Sequence, residues 1–190
     1  FTGSLSSSEI RYEYKNSSGS NTTLIGSNAV TPIYFTWNYL QIVQDSNGHI
    51  RIYSNGTQVG STVTNAAMSG ASSTAVTIGD WGSSGSSSGF QGYISDFNLT
   101  TETSPSTAVP TAPRSSAGNT KLLISGTDAS IIDKAQGSNL KLVGNTTGST
   151  DLGTNSDAYS GSGKYIKFDG SGDRVTATGV LDLGDDFTIE

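Results

Sequence analysis

Residues 33–61, IYFTWNYLQIVQDSNGHIRIYSNGTQVGS, restrict the fold more than any other stretch of the chain. Leu40 and Ile42 alternate with Gln41 and Val43, and Ile50 and Ile52 alternate with Arg51 and Tyr53. A period of two marks strands with one face on a core. Asn47-Gly48 and Asn55-Gly56 punctuate the segments. An Asn-Gly pair accepts the positive φ angles of a type I′ turn, so the stretch predicts three strands joined by two tight hairpins.

The rest of the chain agrees with an all-β fold. Of 190 residues, 80 are Ser, Thr or Gly, and no window carries an apolar stripe at helical spacing. Such a composition favours strands and turns over helices. Ile10, Tyr12 and Tyr14 share one face of a predicted strand, followed by a turn at 16–21 and a strand over 22–25. Residues 65–74 and the run GSSGSSSG at 82–89 read as loops, with a strand at 75–79 between them. In the stretch from Phe90 to Leu99, Phe90 and Ile94 fall on one face and Phe97 and Leu99 on the other. A bulge between them is predicted to restore a single buried face.

Pro105, Pro110 and Pro113 lie within nine positions of each other in TETSPSTAVPTAPRSSAG, residues 101–118. Proline fixes φ and removes a donor, so this stretch predicts an extended linker. Beyond it strands restart at 121–124, 131–133, 140–143, 164–170, 174–176 and 185–190. The expected organisation is a portion over 1–104, a linker over 105–118 and a second portion over 119–190.

Charge and composition exclude several functions. A net charge of −6 opposes binding to nucleic acid or anionic membrane, both of which need basic patches. No apolar run is long enough to span a bilayer, and the first residues lack the basic and apolar regions of a signal peptide. With no cysteine there is neither a disulfide framework nor thiolate chemistry. An acidic, cysteine-free, Ser/Thr-rich chain fits an extracellular, cell-surface or virion-surface protein.

Trp37, Tyr39, Leu40, Ile42, Tyr53, Asn55 and Gly56 resemble the W-x-[HY] strand and Y-x-N-G turn of laminin-G-like, concanavalin-A-like jelly-roll domains. Val76-Thr-Ile78-Gly79 and Phe90-Gln-Gly92-Tyr93-Ile94-Ser-Asp96-Phe97 resemble the strands that close such a domain. Leu122-Leu123, Asp133, Phe168-Asp169-Gly170 with Asp173, and Asp186-Phe187-Thr188-Ile189-Glu190 resemble those that open one. The resemblance implies an all-β jelly-roll sandwich in inverted order, closing portion first. Joined end to end, the termini read DDFTIEFT, which completes the family's strand. This suggests one period of a tandem repeat, in which residues 113–190 and residues 1–104 complete one another, either within one chain or with residues 1–104 of a following copy. Copies would then associate head to tail into a filament, fibre or virion appendage.

The fold hosts lectins, glucanases, adhesion modules and spacers, so the candidate residues must decide among them. Glucanases with this fold carry a Glu-x-Asp-x-x-Glu or Glu-x-Asp-x-Glu run, which positions the acid and nucleophile across the sugar bond. Glu9 and Glu13 have the outer spacing, but Arg11 stands where the Asp is needed, so a non-enzymatic role is expected. His49 is the single histidine and reads as a turn residue. Trp81, Asp80 and Tyr93 are candidates for a carbohydrate site, where aromatic planes cover the C–H faces of sugars. Trp37 reads as core. Asp169 and Asp173, around two glycines, could contribute carboxylates to calcium, although glycine-rich Asp turns are also ordinary hairpin chemistry. Asp182, Asp185 and Asp186 form a second acidic group. Asn16, Asn21, Asn55, Asn98 and Asn145 begin Asn-x-Ser/Thr sequons. No other cofactor is implied. The expected partners are copies of the chain itself and surface glycans.

Overall fold

A computed structural model describes residues 10–16, 18–26, 37–64, 75–79, 90–102, 104–126, 131–135, 139–144, 146–149, 165–178 and 187–189. Fifteen strands and no helix occur among them. The chain forms two compact units, each assembled from separated segments. The first comprises Phe1–Ser72, Thr100–Pro110 and Leu183–Glu190, and the second Ser73–Leu99 and Thr111–Asp182.

The predicted meander is the frame of the first unit. Strands β3 (Leu40–Gln44), β4 (Ile50–Ser54) and β5 (Thr57–Val63) pair antiparallel in sequence order. Strand β15 (Phe187–Ile189), from the far end of the chain, pairs with the free side of β3, Thr188 opposite Val43. The hairpin of β1 (Ile10–Lys15) and β2 (Asn21–Gly26) supplies the second wall of the core. Tyr12 and Tyr14, two residues apart on β1, present their rings together, with centroids 6.1 Å apart and planes 19° from parallel. They pack with Ile42, Ile50, Ile52 and Val59, flanked by Leu40, Val63 and Ile189. Burial pushes the Tyr12 phenol well above its ordinary pKa range, and the neighbouring Tyr14 adds to the effect. Within the paired register, β5 takes two extra residues between Ile52↔Val59 and Ile50↔Val63. Gly60, at φ 71°, makes that bulge, and the Gln58 amide bridges it to the Gly60 carbonyl and the Thr62 hydroxyl.

The two Asn-Gly turns differ from each other. At Asn55-Gly56 both φ angles are positive, 48° and 81°, and Ser54 pairs with Thr57, as a type I′ hairpin requires. At Asn47-Gly48 only Gly48 is left-handed, at φ 70°, and the loop spans residues 45–49. The type I′ expectation therefore fails at this turn, because the Asp45 side chain organises it. Its Oδ1 accepts the N–H groups of Asn47 and His49 at 3.0 and 2.9 Å, while the Asp45 carbonyl accepts Gly48 N–H.

The opposite face of this sheet is crossed by the proline-bearing segment, a strap with no strand over residues 104–110. The buried Gln41 side chain donates to the Ser106 carbonyl at 3.0 Å, and Thr188 Oγ1 donates to the Glu102 carbonyl at 3.3 Å. Gly56 is the residue the strap can approach closely, since a Cβ there would lie 3.1 Å from the Thr107 carbonyl oxygen.

The second unit repeats the principle. Strands β11 (Asn139–Val143), β14 (Arg174–Thr178) and β6 (Ala75–Ile78) form one antiparallel sheet. Another consists of β12 (Thr147–Ser149), β13 (Tyr165–Asp169) and β7 (Gln91–Ile94). Strand β9 (Thr120–Gly126) lies between β10 (Ile131–Asp133) and β8 (Phe97–Thr100), whose last residue belongs to the first unit. Ile78, Ile166, Phe168, Val175 and Ala177 are buried, as are Leu122, Leu123 and Ile124 in succession along β9. An unbroken apolar triplet marks a strand covered on both faces. Phe90 meets Phe168 edge to face, with centroids 6.0 Å apart.

Where a bulge was expected after Ile94, the chain leaves the sheet. Asp96 adopts φ 49°, and β7 and β8 end up in different sheets. A change of sheet reconciles the two faces of Phe90–Leu99 as well as a bulge would, and Asp is among the few residues that tolerate the left-handed angle. In both units, strands from before the proline segment pair with strands from after it: β3 with β15, β6 with β14, and β7 with β13.

Candidate functional site

Five described aspartates brace turns and strand connections. Asp45 accepts its two backbone N–H groups and, through Oδ2, the Arg51 guanidinium at 2.8 Å, with His49 Nδ1 at 3.5 Å. Slight desolvation works against ionisation, but the bonds from Arg51, His49 and Asn47 and the charge of His49 outweigh it, holding the Asp45 carboxyl at about 2. His49 is thus part of a turn, as the sequence suggests. The signal for this cluster is an Asp two residues ahead of Asn-Gly, an Asx-turn pattern that the sequence reading passed over.

Asp96 is buried at the sheet change, where Oδ1 accepts the Ser125 hydroxyl at 2.7 Å and Oδ2 the Arg114 N–H at 3.3 Å. Asp133 Oδ1 accepts the N–H groups of Leu123 and Ala135 at 3.0 and 2.9 Å, tying the β9–β10 connection. Asn55 does the same for the Y-x-N-G turn. It exchanges both backbone bonds and side-chain bonds with the chain ahead of β3: Asn55 N–H to Tyr39 C=O, Tyr39 N–H to Asn55 Oδ1, both 2.8 Å.

The candidate calcium residues lie in the β13–β14 hairpin. Asp173 Oδ2 accepts Asp169 N–H at 2.9 Å and Asp169 Oδ1 accepts Ser171 N–H at 2.8 Å, with Gly170 and Gly172 both left-handed. The residues fit a calcium ion poorly: Asp173 is buried, and each carboxylate already holds the turn. Among the described residues no three of His, Cys, Asp or Glu gather around one point. Asp182, Asp185 and Asp186 lie outside the described residues.

Of the carbohydrate candidates, Trp81 and Asp80 also lie outside the described residues, and Tyr93 is on β7 with 44% of its surface exposed. Lys167 stands directly across from Tyr93, and Asp169 across from Gln91. All four are exposed, so they form a two-by-two patch on one face of the β12–β13–β7 sheet. An accessible aromatic with an amide, an ammonium and a carboxylate around it can cover a sugar's C–H face and bond its hydroxyls. Trp37 is half-buried just ahead of β3. Among the sequons, Asn21 and Asn55 are exposed, Asn16 is half-buried, Asn98 is buried in β8, and Asn145 lies outside the described residues.

Antiparallel sheets linked by tight turns, with no helix among the described residues, define an all-β jelly-roll protein. The family model for the concanavalin A-like lectin/glucanases superfamily matches residues 2–110, and the chain belongs to that superfamily. Nothing among curated proteins or solved structures matches it.

Proposed function

We propose that the protein is a non-catalytic, extracellular module of a fibre, filament or virion appendage, whose copies associate head to tail. The observation that supports its non-catalytic part is the use of five described aspartates. Asp45, Asp96, Asp133, Asp169 and Asp173 each accept hydrogen bonds that fix a turn or a strand connection. Glycosidases need two carboxyl groups held open to the substrate, one of them able to donate a proton. A scaffold needs carboxylates that close loops, and a Ser/Thr/Gly-rich acidic surface keeps such a scaffold soluble. Two assays test it. Purified protein incubated with β-glucans should release no reducing sugar, and sedimentation should show mass rising with concentration. Sugar release that is lost in Glu13→Gln, or a strict monomer at millimolar concentration, contradicts the reading.

A second reading, a carbohydrate-binding module, is favoured by the exposed patch of Tyr93, Gln91, Lys167 and Asp169. Binding to immobilised glycans that Tyr93→Ala abolishes would establish it.

A further inference from the structure

The chain holds two Asn-Gly pairs on neighbouring hairpins, and the fold treats them in opposite ways. We propose that Asn47 is a site of spontaneous deamidation and isoaspartate formation, and that the structure protects Asn55 from the same reaction.

In this chemistry the Gly48 nitrogen attacks Asn47 Cγ and gives up its proton to solvent base. The tetrahedral centre expels ammonia and leaves a five-membered succinimide. Water then adds to either of its carbonyls, giving aspartate or isoaspartate, so one water is consumed for each ammonia released. Glycine after the asparagine matters because no Cβ hinders the attacking nitrogen. The reaction also requires that the side chain swing onto the following peptide.

Asn47 meets that requirement. It is exposed at the tip of the β3–β4 loop, and its own N–H is anchored to Asp45, whereas its side-chain amide has no hydrogen bond among the described residues. The one restraint on the nucleophile is the bond from Gly48 N–H to the Asp45 carbonyl at 2.8 Å, in a loop of five residues. Loop tips open locally at little cost compared with global unfolding.

Asn55 is held at every point. Its Oδ1 accepts Tyr39 N–H at 2.8 Å, its Nδ2 donates to Asn38 Oδ1 at 3.3 Å, and its backbone N–H donates to Tyr39 C=O. Next to it, Gly56 sits under the strap, in the region of Thr107 and Val109. Presenting Cγ to the Gly56 nitrogen would mean breaking the side-chain bonds and shifting the clamp to Tyr39.

The product places a new negative charge two residues from Asp45, and isoaspartate lengthens the backbone inside the loop that Asp45 braces. The two sites separate cleanly for measurement, because trypsin cuts after Lys15, Arg51 and Arg114, leaving Asn47 and Asn55 on different peptides. The full chain is incubated at mildly alkaline pH, sampled over days, digested and followed by mass spectrometry for replacement of NH2 by OH. Isoaspartate is confirmed by fragmentation. The folded protein should convert Asn47 at least about tenfold faster than Asn55, the factor that one ordinary hydrogen bond can supply. In urea the two rates should converge. Equal rates in the folded protein, faster conversion at Asn55, or a gap that persists in urea would overturn the proposal.

Discussion

The side-chain amide of Gln41, buried in β3, donates a hydrogen bond to the main-chain carbonyl of Ser106, 65 residues further along the chain. Gln41 faces away from the tyrosine core, on the face that strand alternation alone would leave to solvent. The strap takes the place of that solvent. A buried polar side chain is tolerated where its partner is fixed, and the prolines fix the strap by limiting its φ angles. Gln41→Ala should therefore lower stability by about 1–3 kcal/mol in urea titrations, through the lost bond and the space left behind. Thr188→Val, nearly isosteric and losing the bond to Glu102, should cost about 1 kcal/mol.

Gly79 should be far less replaceable than Gly19. Both have positive φ, 104° and 77°. A Cβ on Gly79 would lie 2.6 Å from Phe168 Cδ1 and 2.7 Å from the Asp173 carbonyl oxygen, whereas one on Gly19 would meet nothing within 4 Å. Gly19→Ala should cost about 1 kcal/mol from backbone strain alone. Gly79→Ala adds overpacking of about 1–3 kcal/mol, which thermal melts of the two variants will resolve.

Acid should loosen the β3–β4 loop through Asp45. Its folded pKa, about 2, lies below the ordinary value of 3.8, so folding favours the ionised form. The stability it contributes is complete above about pH 4 and disappears as pH falls through about 2. Asp45→Asn should accordingly be less stable than the parent at pH 6, with the difference closing near pH 2. A gap that is the same at both pH values would rule out this electrostatic account.

Calcium should not stabilise the protein. Asp169 and Asp173 each commit a carboxylate oxygen to a backbone N–H of their own hairpin. A ligand bound only by the folded state would raise the melting temperature, so melting in excess chelator should match melting in calcium. A drop in Tm on chelation would assign these carboxylates to an ion.

The strands were largely legible because alternation such as Ile50-Arg51-Ile52-Tyr53 survives in any context, and the type I′ turn at Asn55-Gly56 follows from backbone angles alone. The first Asn-Gly turn was not, since a side chain two residues upstream outbids the local preference. Strand β12, Thr147–Ser149, has no apolar residue to announce it and forms only because β13 offers a paired edge. The change of sheet at Asp96 rests on contacts with Arg114 and Ser125, remote in sequence. The exposed patch was legible only at Tyr93, because Lys167 and Asp169 join it through register between strands on either side of the strap.

That register is the centre of the account: the stretches before and after the proline segment build each unit together, β15 on β3, β14 on β6 and β13 on β7. Fragments covering residues 1–110 and 111–190 test it directly, with circular dichroism and cooperative melting measured for each alone and for the mixture. Neither fragment should melt cooperatively alone, because each would expose unpaired edges and half a core, and the mixture should regain the β spectrum and the transition of the intact chain. A cooperative transition in residues 1–110 alone, unchanged when the second fragment is added, would contradict it.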